Sequence, residues 1–268
     1  MLAKALATLK KDFLTESSYR FSLFFNFFGI LVSILSYYFI NKLFSNAIVP
    51  HLEIYGVNYF SYVLLSTAFF GYVGVGLGSF SERIHAEQQF GTLEAVLLTP
   101  TKISTILFSL AIWNLVLATL DMLVYIALAL FLFKINFAHI NYLSTAVIFL
   151  LTVTSFSALG IISASFIMVL KRGNPFAWLL GSLEGLVGGV YFPITVLPAW
   201  MQLLAKFFPI TYAIQAIQLA VYKGAPLSQL WQEAGILFLF SVILLPLSLF
   251  LFTLSLQKAK KEGSLGQY

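Results

Sequence analysis

The chain contains no cysteine, which removes disulfides, thiolate metal sites and a cysteine nucleophile. Charge is scarce as well: 9% of the 268 residues are Asp, Glu, Lys or Arg, where an ordinary soluble domain carries roughly a quarter. So few ionised groups cannot hydrate a globule of this size, and with 60% hydrophobic residues the remaining surface must face lipid. No G-x-x-x-x-G-K-[ST] loop occurs, so the backbone cradle and lysine that hold ATP phosphates are missing. His51, His85 and His139 are isolated and lack the H-E-x-x-H spacing of a zinc protease. They fall at span ends or in a polar loop, away from any buried serine cluster, which speaks against a serine-histidine hydrolase. A net charge of +5 in a soluble chain would suggest nucleic acid, but here the distribution of the cations carries the information.

What the chain does contain is a series of uncharged apolar runs, each near the 20 or so residues that a crossing needs. Residues 21–40 are rich in Phe, Leu and Ile, with Tyr37 and Tyr38 where an interfacial belt lies, and predict a first span over 21–44. A secretory signal peptide competes for this region, but its apolar core is about 7 to 15 residues and this one is longer. Residues 57–80 predict span two, with glycines at 71, 74, 76 and 78 that favour close helix contact or a loosened end. Span three, 101–133, follows the cap Thr99-Pro100 and is interrupted only by Asp121. Span four, 140–170, stops at Lys171-Arg172-Gly173-Asn174-Pro175. Span five, 175–192, contains Glu184, and Gly181 and Gly185 have the spacing that lets helices approach. Pro193, Pro198 and Pro209 then cut an apolar stretch into pieces too short for a bilayer of about 30 Å. They predict a re-entrant or interfacial helical hairpin over 193–222 that shapes an exit or gate. Span six covers 234–257 and ends in Lys258, Lys260 and Lys261.

The expectation is an all-α integral membrane protein with six transmembrane helices in a single domain, 1–268. Six crossings place both termini on one side, and the cations divide accordingly. Lys4, Lys10, Lys11, Arg20, Arg83, Lys102, Lys171, Arg172, Lys258, Lys260 and Lys261 share that side, against Lys42, Lys134, Lys206 and Lys223 on the other. Eleven against four makes the termini cytoplasmic under the positive-inside rule; the expected location is a plasma membrane of the bacterial inner-membrane kind.

Two cytoplasmic features stand out. Residues 1–20 place Leu2, Leu6, Leu9 and Phe13 on one helical face and Lys4, Lys10, Lys11 and Asp12 elsewhere, an amphipathic interfacial helix that anchors to the membrane or also touches a partner. Residues 82–98 hold the densest polar cluster. Arg83 and Glu87 are spaced to pair, and Phe90, Leu93 and Leu97 form an apolar stripe, so a short amphipathic helix with a break near Gly91 fits. A solvated loop helix is the plain reading; a helix seated in another protein's groove explains the exposed stripe better.

At this point a resemblance becomes specific. The string from Glu87 through Phe90-Gly91-Thr92-Leu93-Glu94 and Leu97 to Thr99-Pro100 resembles the E-x-x-x-G-T-L-E-x-L-L-x-T-P loop of ATP-binding-cassette (ABC) exporter permeases of the second type. Phe192-Pro193-Ile194-Thr195-Val196-Leu197-Pro198-Ala199-Trp200 and Phe208-Pro209-Ile210-Thr211-Tyr212 are similar to the F-P-x-x-x-L-P-x-W and F-P-x-T-Y segments of the same family. The resemblance implies that 82–98 is a coupling helix seated in a nucleotide-binding ATPase subunit, present in two copies. It implies a second permease copy in a homodimeric pore, and ATP and Mg held by the partner with no cofactor in this chain. Many members carry an acid and an arginine after F-P-x-T-Y; this chain has Gln215 and Gln218.

Asp121 and Glu184 are the ionisable groups expected deep in the membrane, where a lone carboxylate is costly and no intramembrane Lys or Arg is available. Each is therefore protonated, hydrogen-bonded across helices to groups such as Asn114 or Ser182, or facing water in a translocation path. For Glu184 a path or dimer-seam role is favoured, with Gly181, Gly185, Phe192, Pro193 and Pro198 around the same exit. The function that fits best is an export permease for an amphipathic, drug-like or lipid-like substrate. The entry region 19–40 lacks the basic, tryptophan- and proline-rich character common in exporters of glycans or lipid-linked polysaccharides, the alternative within the family. Two rivals from other classes are a proton-coupled carrier that titrates Asp121 and Glu184, and a structural membrane anchor.

Overall fold

The computed structural model describes residues 20–43, 50–89, 103–135, 137, 139–170 and 175–261. Eight α-helices are described, with no strand among the described residues: α1 (Arg20–Leu43), α2 (Tyr59–Gln89), α3 (Ile103–Phe131), α4 (Tyr142–Leu170), α5 (Pro175–Val187), α6 (Ala199–Ala205), α7 (Pro209–Tyr222) and α8 (Trp231–Lys261). The all-α expectation holds. By length and composition α1, α2, α4 and α8 can each cross a bilayer, and the α6–α7 pair, bent by 90°, adds a fifth if it counts as one broken span. A count of six needs α3 and α5 as well; α3 is 29 residues from end to end. The interfacial helix expected over 1–20 lies outside the described residues save for Arg20, which opens α1.

Two boundaries differ from the sequence reading for identifiable reasons. The polar stretch beginning at Glu82 does not start a new helix, because α2 runs unbroken from Tyr59 to Gln89. Ser81 donates to the Gly78 carbonyl at 2.8 Å, which satisfies its hydroxyl inside the helix. Phe80 and Ile84 then pack with Ile161, Ile167 and Met168 of α4 and Phe252 and Leu256 of α8, which carries the helix past its apolar portion. The run expected as span five ends as helix at Val187, five residues early. Gly188 and Gly189 follow, and Gly189 has a left-handed φ of 87° that a helix cannot continue through.

The bundle is organised around α4, which packs against α2 on one side and α8 on the other. Small residues make both contacts close. A Cβ on Gly160 of α4 would run into the Gly76 carbonyl oxygen of α2, and a Cβ on Gly76 would meet Phe156 at 2.8 Å. Backbones that touch in this way gain dispersion contacts that bulkier residues forbid, which is how helices associate when lipid is as apolar as Leu. On the other side, the Ser155 and Ser241 hydroxyls lie 2.9 Å apart, joining α4 to α8 by a buried hydrogen bond.

The helix with the most thoroughly buried surface is the short α7. Ile210, Ile214, Ile217 and Val221 interleave with Ala213, Ala216 and Ala220, and all seven are buried in the main core cluster. The alanines let neighbouring helices close in while the branched residues fill the gaps between them. Outside this core, α1 and α8 turn large apolar side chains outward, including Phe21, Phe24, Phe39, Phe238 and Phe250, as a lipid-facing surface does.

The glycine contact makes a direct test. Gly160→Ala should destabilise the purified protein by about 1–3 kcal/mol, because α2 and α4 must separate to admit the methyl group. Gly71→Ala is the control, since nothing lies within 4 Å of the Cβ it adds. Equal thermal midpoints for the two variants in the same detergent would show that the crossing does not hold the bundle.

Candidate functional site

The segment 192–222 forms a folded elbow whose motif residues each have a mechanical role. Pro193 and Pro198 precede the short helical turn Ile194–Val196 and α6, where a missing N–H costs nothing. Gln202 Nε2 donates to the Leu197 carbonyl at 2.8 Å. Pro209 starts α7, Thr211 Oγ1 donates to the Ala205 carbonyl at 2.7 Å, and the Tyr212 hydroxyl donates to the Lys206 carbonyl at 3.0 Å. The Thr and Tyr of F-P-x-T-Y therefore give side-chain donors to two carbonyls at the end of α6, of which the Ala205 carbonyl also accepts from the Phe208 N–H at 3.1 Å, and they brace the 90° bend. Phe192 packs beside Val187, Leu197 and Ala205 at the inner corner of this elbow.

Behind the elbow, α7 is bolted to the N-terminal half of α2. The fully buried Gln218 donates through Nε2 to the Tyr62 carbonyl at 2.8 Å and to Ser66 Oγ at 2.7 Å. The Tyr62 hydroxyl donates to the Gly189 carbonyl at 2.5 Å, where the chain leaves α5, and the Tyr222 hydroxyl donates to the Ser61 carbonyl at 2.7 Å. These bonds link α2, α5 and α7 in one polar network within an otherwise apolar core. Gln218, Tyr62 and Ser66 were not singled out as site residues in the sequence, although Gln218 stood out as a departure from the family pattern. Two amides, Gln215 and Gln218, among the Ile and Ala rows of α7 were the available signal.

Glu184 occupies the adjoining wedge. It is 0% exposed, and neither carboxylate oxygen has a hydrogen-bond partner among the described residues; Gln218 Oε1 is likewise unpartnered. The Ser182 side chain expected to bond it is exposed. Around it, Gly181 and Gly185 let α5 lie against α2 through side-chain tips: Leu77 reaches Gly181, and Phe70 reaches Gly185 together with Tyr191. Ile210 of α7 presses on Gly188. Glu184 is thus buried by elements of its own chain.

Asp121 is placed differently. It is half-buried on α3, and its Oδ1 accepts a hydrogen bond from Asn26 Nδ2 of α1 at 2.8 Å. Tyr72 of α2 reaches α3 close by, donating to Thr119 Oγ1 at 2.9 Å. Asp121 and Asn26 thus join α1 to α3, which is the helix-to-helix alternative for this residue.

Of the coupling residues, Arg83 and Glu87 belong to the last two turns of α2. Phe90, Gly91, Thr92, Leu93, Glu94 and Leu97 lie outside the described residues. His51 Nδ1 sits 3.1 Å from Thr195 Oγ1, tying the loop before α2 to the elbow. No group of three or more metal-ligating side chains occurs among the described residues.

The arrangement has the parts of a mechanical device: a long helix with a polar end, a buried polar network at its other half, and a glycine-faced wedge holding an uncompensated carboxyl. The model of the family described as ABC-2 type transporter matches residues 5–222, well over half of the chain. No curated protein matches it.

Proposed function

This chain belongs to the ABC-2 type transporter family, and on that basis we propose that two copies of it form an export permease for an amphipathic, drug-like or lipid-like substrate. Membership makes it an integral membrane permease subunit of an ABC transporter, associated with an ABC ATPase subunit that supplies the energy. The proposal adds the stoichiometry, two ATPase subunits beneath a homodimer, and the direction. It also adds six crossings, with α3 and α5 counted among them and both termini in the cytoplasm. The observation that carries it is the continuity of α2, which joins the polar 82–89 segment to the Tyr62 and Ser66 network in one rigid rod.

Residues 82–98 act as the coupling element, with Phe90, Leu93 and Leu97 as its apolar stripe and Arg83, Glu87, Thr92 and Glu94 around it. Closure of the ATPase pair upon ATP moves this element. Because α2 is clamped to α4 and α8 at its polar end, it cannot bend there and transmits the displacement to the wedge. The wedge is the lightest lateral contact in its path: α2 meets α5 through the apolar tips of Leu77 and Phe70 against glycine. Parting them hydrates Glu184 and opens a path beside Phe192, Pro193 and Pro198 at the elbow. The many outward phenylalanines and the shortage of polar groups suit an amphipathic cargo better than a hydrophilic one.

Three measurements bear on this reading. Leu93→Asp places an unpaired carboxylate in the ATPase groove at a cost of several kcal/mol. ATP-dependent export should fail while membrane insertion and dimer formation persist; unchanged export removes the coupling role. Single cysteines need no background correction in this chain. A thiol at Asn46 or Ser228 should react with an impermeant reagent on intact cells and one at Gln88 or Gly263 should not, so labelling at Gln88 overturns the orientation. Glu184→Gln keeps shape and bonding capacity, and should alter transport or cargo selectivity with fold and dimer intact. Full export by Glu184→Gln would limit the residue to packing.

A further inference from the structure

A second polar feature lies at the far end of the bundle from Glu82. A cleft of about 720 Å³ opens where α1, α2 and α3 meet the end of α7, with Tyr38, Asn41, Phe60, Phe133, Lys134 and Tyr222 in its wall. Its floor is aromatic. Tyr38, Phe60 and Phe133 form a three-ring cluster, with centroids 5.7 Å apart for Tyr38–Phe60, 5.0 Å for Tyr38–Phe133 and 4.8 Å for Phe60–Phe133.

Three of the four lysines that the charge pattern assigns to the outer side converge on the rim of this cleft. Lys134 lines it directly. Lys42 Nζ stands 5.1 Å from the centre of the Tyr38 ring, a cation–π contact that leaves its N–H donors available. The Lys223 ammonium lies against Gly56, another wall residue, where an added Cβ would meet Nζ at 2.8 Å. Among the described residues none of the three ammoniums is paired with a carboxylate.

The backbone supports the same reading. Lys134 has a left-handed φ of 52°, the one non-glycine residue with positive φ among those described. It occupies the turn that ends α3, where the Ile135 N–H reaches back to the Ala129 carbonyl at 3.1 Å. Glycine is the favoured residue at that position, and Gly224 fills its counterpart after α7, with the Ala225 N–H bonded to the Leu219 carbonyl at 3.1 Å. The turn thus fixes the backbone from which the Lys134 side chain reaches the cleft rim.

We propose that this cleft binds a phosphate-bearing anion, with the three ammoniums on the charge and the aromatic floor beneath it. The favoured source is the headgroup of an anionic phospholipid; free phosphate shares the chemistry. The cleft is flanked by lipid-facing side chains, Leu43 at 82% and Phe131 at 83% exposure, so acyl chains have an apolar surface beside the charged rim. Basic pockets between helix ends hold lipid headgroups in this way. The proposal rests on the reading above only for the leaflet it assigns, the outer one.

The test uses the purified permease alone. It is placed in nanodiscs of phosphatidylcholine containing phosphatidylglycerol, re-extracted, and the retained lipid is counted by native mass spectrometry. The wild-type chain should retain phosphatidylglycerol in preference to phosphatidylcholine. The combined Lys42→Gln, Lys134→Gln and Lys223→Gln variant should lose about tenfold of that preference. Lys134→Gly guards against a folding failure, since glycine adopts the same backbone without strain: its thermal midpoint should not fall, while its retention should. Displacement of phosphatidylglycerol by millimolar inorganic phosphate would assign the site to free phosphate, and resistance would assign it to the lipid. Equal retention by wild type, the triple variant and Lys134→Gly overturns the proposal. No ATP or transport enters the assay, so its outcome is independent of the export reading.

Discussion

The contact between the Gly76 carbonyl and Gly160 is the constraint on which the other helices depend. It lets α2 and α4 touch backbone to backbone, with no room for a methyl group on either side. Every functional feature hangs on α2. The polar 82–89 stretch is its end, the Gln218 network grips its opposite half, α5 leans on its Phe70 and Leu77, and α3 reaches it through Tyr72. Lipid gives no hydrophobic reward for helix association, so a bundle of this kind must rely on close packing and on a few buried hydrogen bonds. The glycines supply the first. Ser155 with Ser241, and Gln218 with Ser66, supply the second.

These two kinds of contact differ in what they permit. A glycine crossing is steric: it fixes separation, and motion across it is blocked in one direction only. A buried amide such as Gln218 fixes register as well, because sliding α7 along α2 would break both of its donated bonds at once and strand polar groups in an apolar interior. The α2–α5 contact has neither feature. It is a set of apolar tips resting on glycine, and the Tyr62 hydroxyl holds the Gly189 carbonyl just beyond α5. One end of the wedge is thus pinned by a hydrogen bond while apolar contacts hold the rest, so the motion proposed above would turn about an axis near Gly189.

How much of this was legible in the sequence follows the physics of each feature. Apolar runs without charge reveal membrane helices directly, since lipid admits little else, and α1, α2, α4 and α8 were all visible in that way. The glycine-rich stretch of span two was visible as a site of close approach, but its partner Gly160 was not, because a lone glycine among 140–170 carries no periodic signal. The end of α5 was misplaced because apolar residues continue to Phe192 while the backbone unwinds at Gly188 and Gly189; composition records polarity and not φ. The elbow at 193–222 was legible from its prolines. That α7 would be buried along most of its length was not, since its length suggested a peripheral piece. Its Ile and Ala rows are interrupted by Gln215 and Gln218, and sequence does not tell that Gln218 turns inward onto α2.

The polar groups also weigh between the two classes of transporter that the sequence left open. A self-sufficient proton carrier needs its titrating carboxyls joined to water or to each other by groups that accept and release protons in turn. Asp121 is bonded to the Asn26 amide, which donates a hydrogen bond but passes no proton onward, and it joins α1 to α3 as a strut would. Glu184 has no hydrogen-bonded neighbour among the described residues to receive a proton from or hand one to. Its nearest surroundings are glycine and the tips of apolar side chains, which give way under displacement and relay nothing. A carboxyl so placed changes its environment when helices move and cannot make them move by titration alone along a wire that is not built. In the proposed reading the driving displacement enters from outside the wedge, and α2, continuous from Tyr59 to Gln89 and gripped at both halves, is the element that would bring it there.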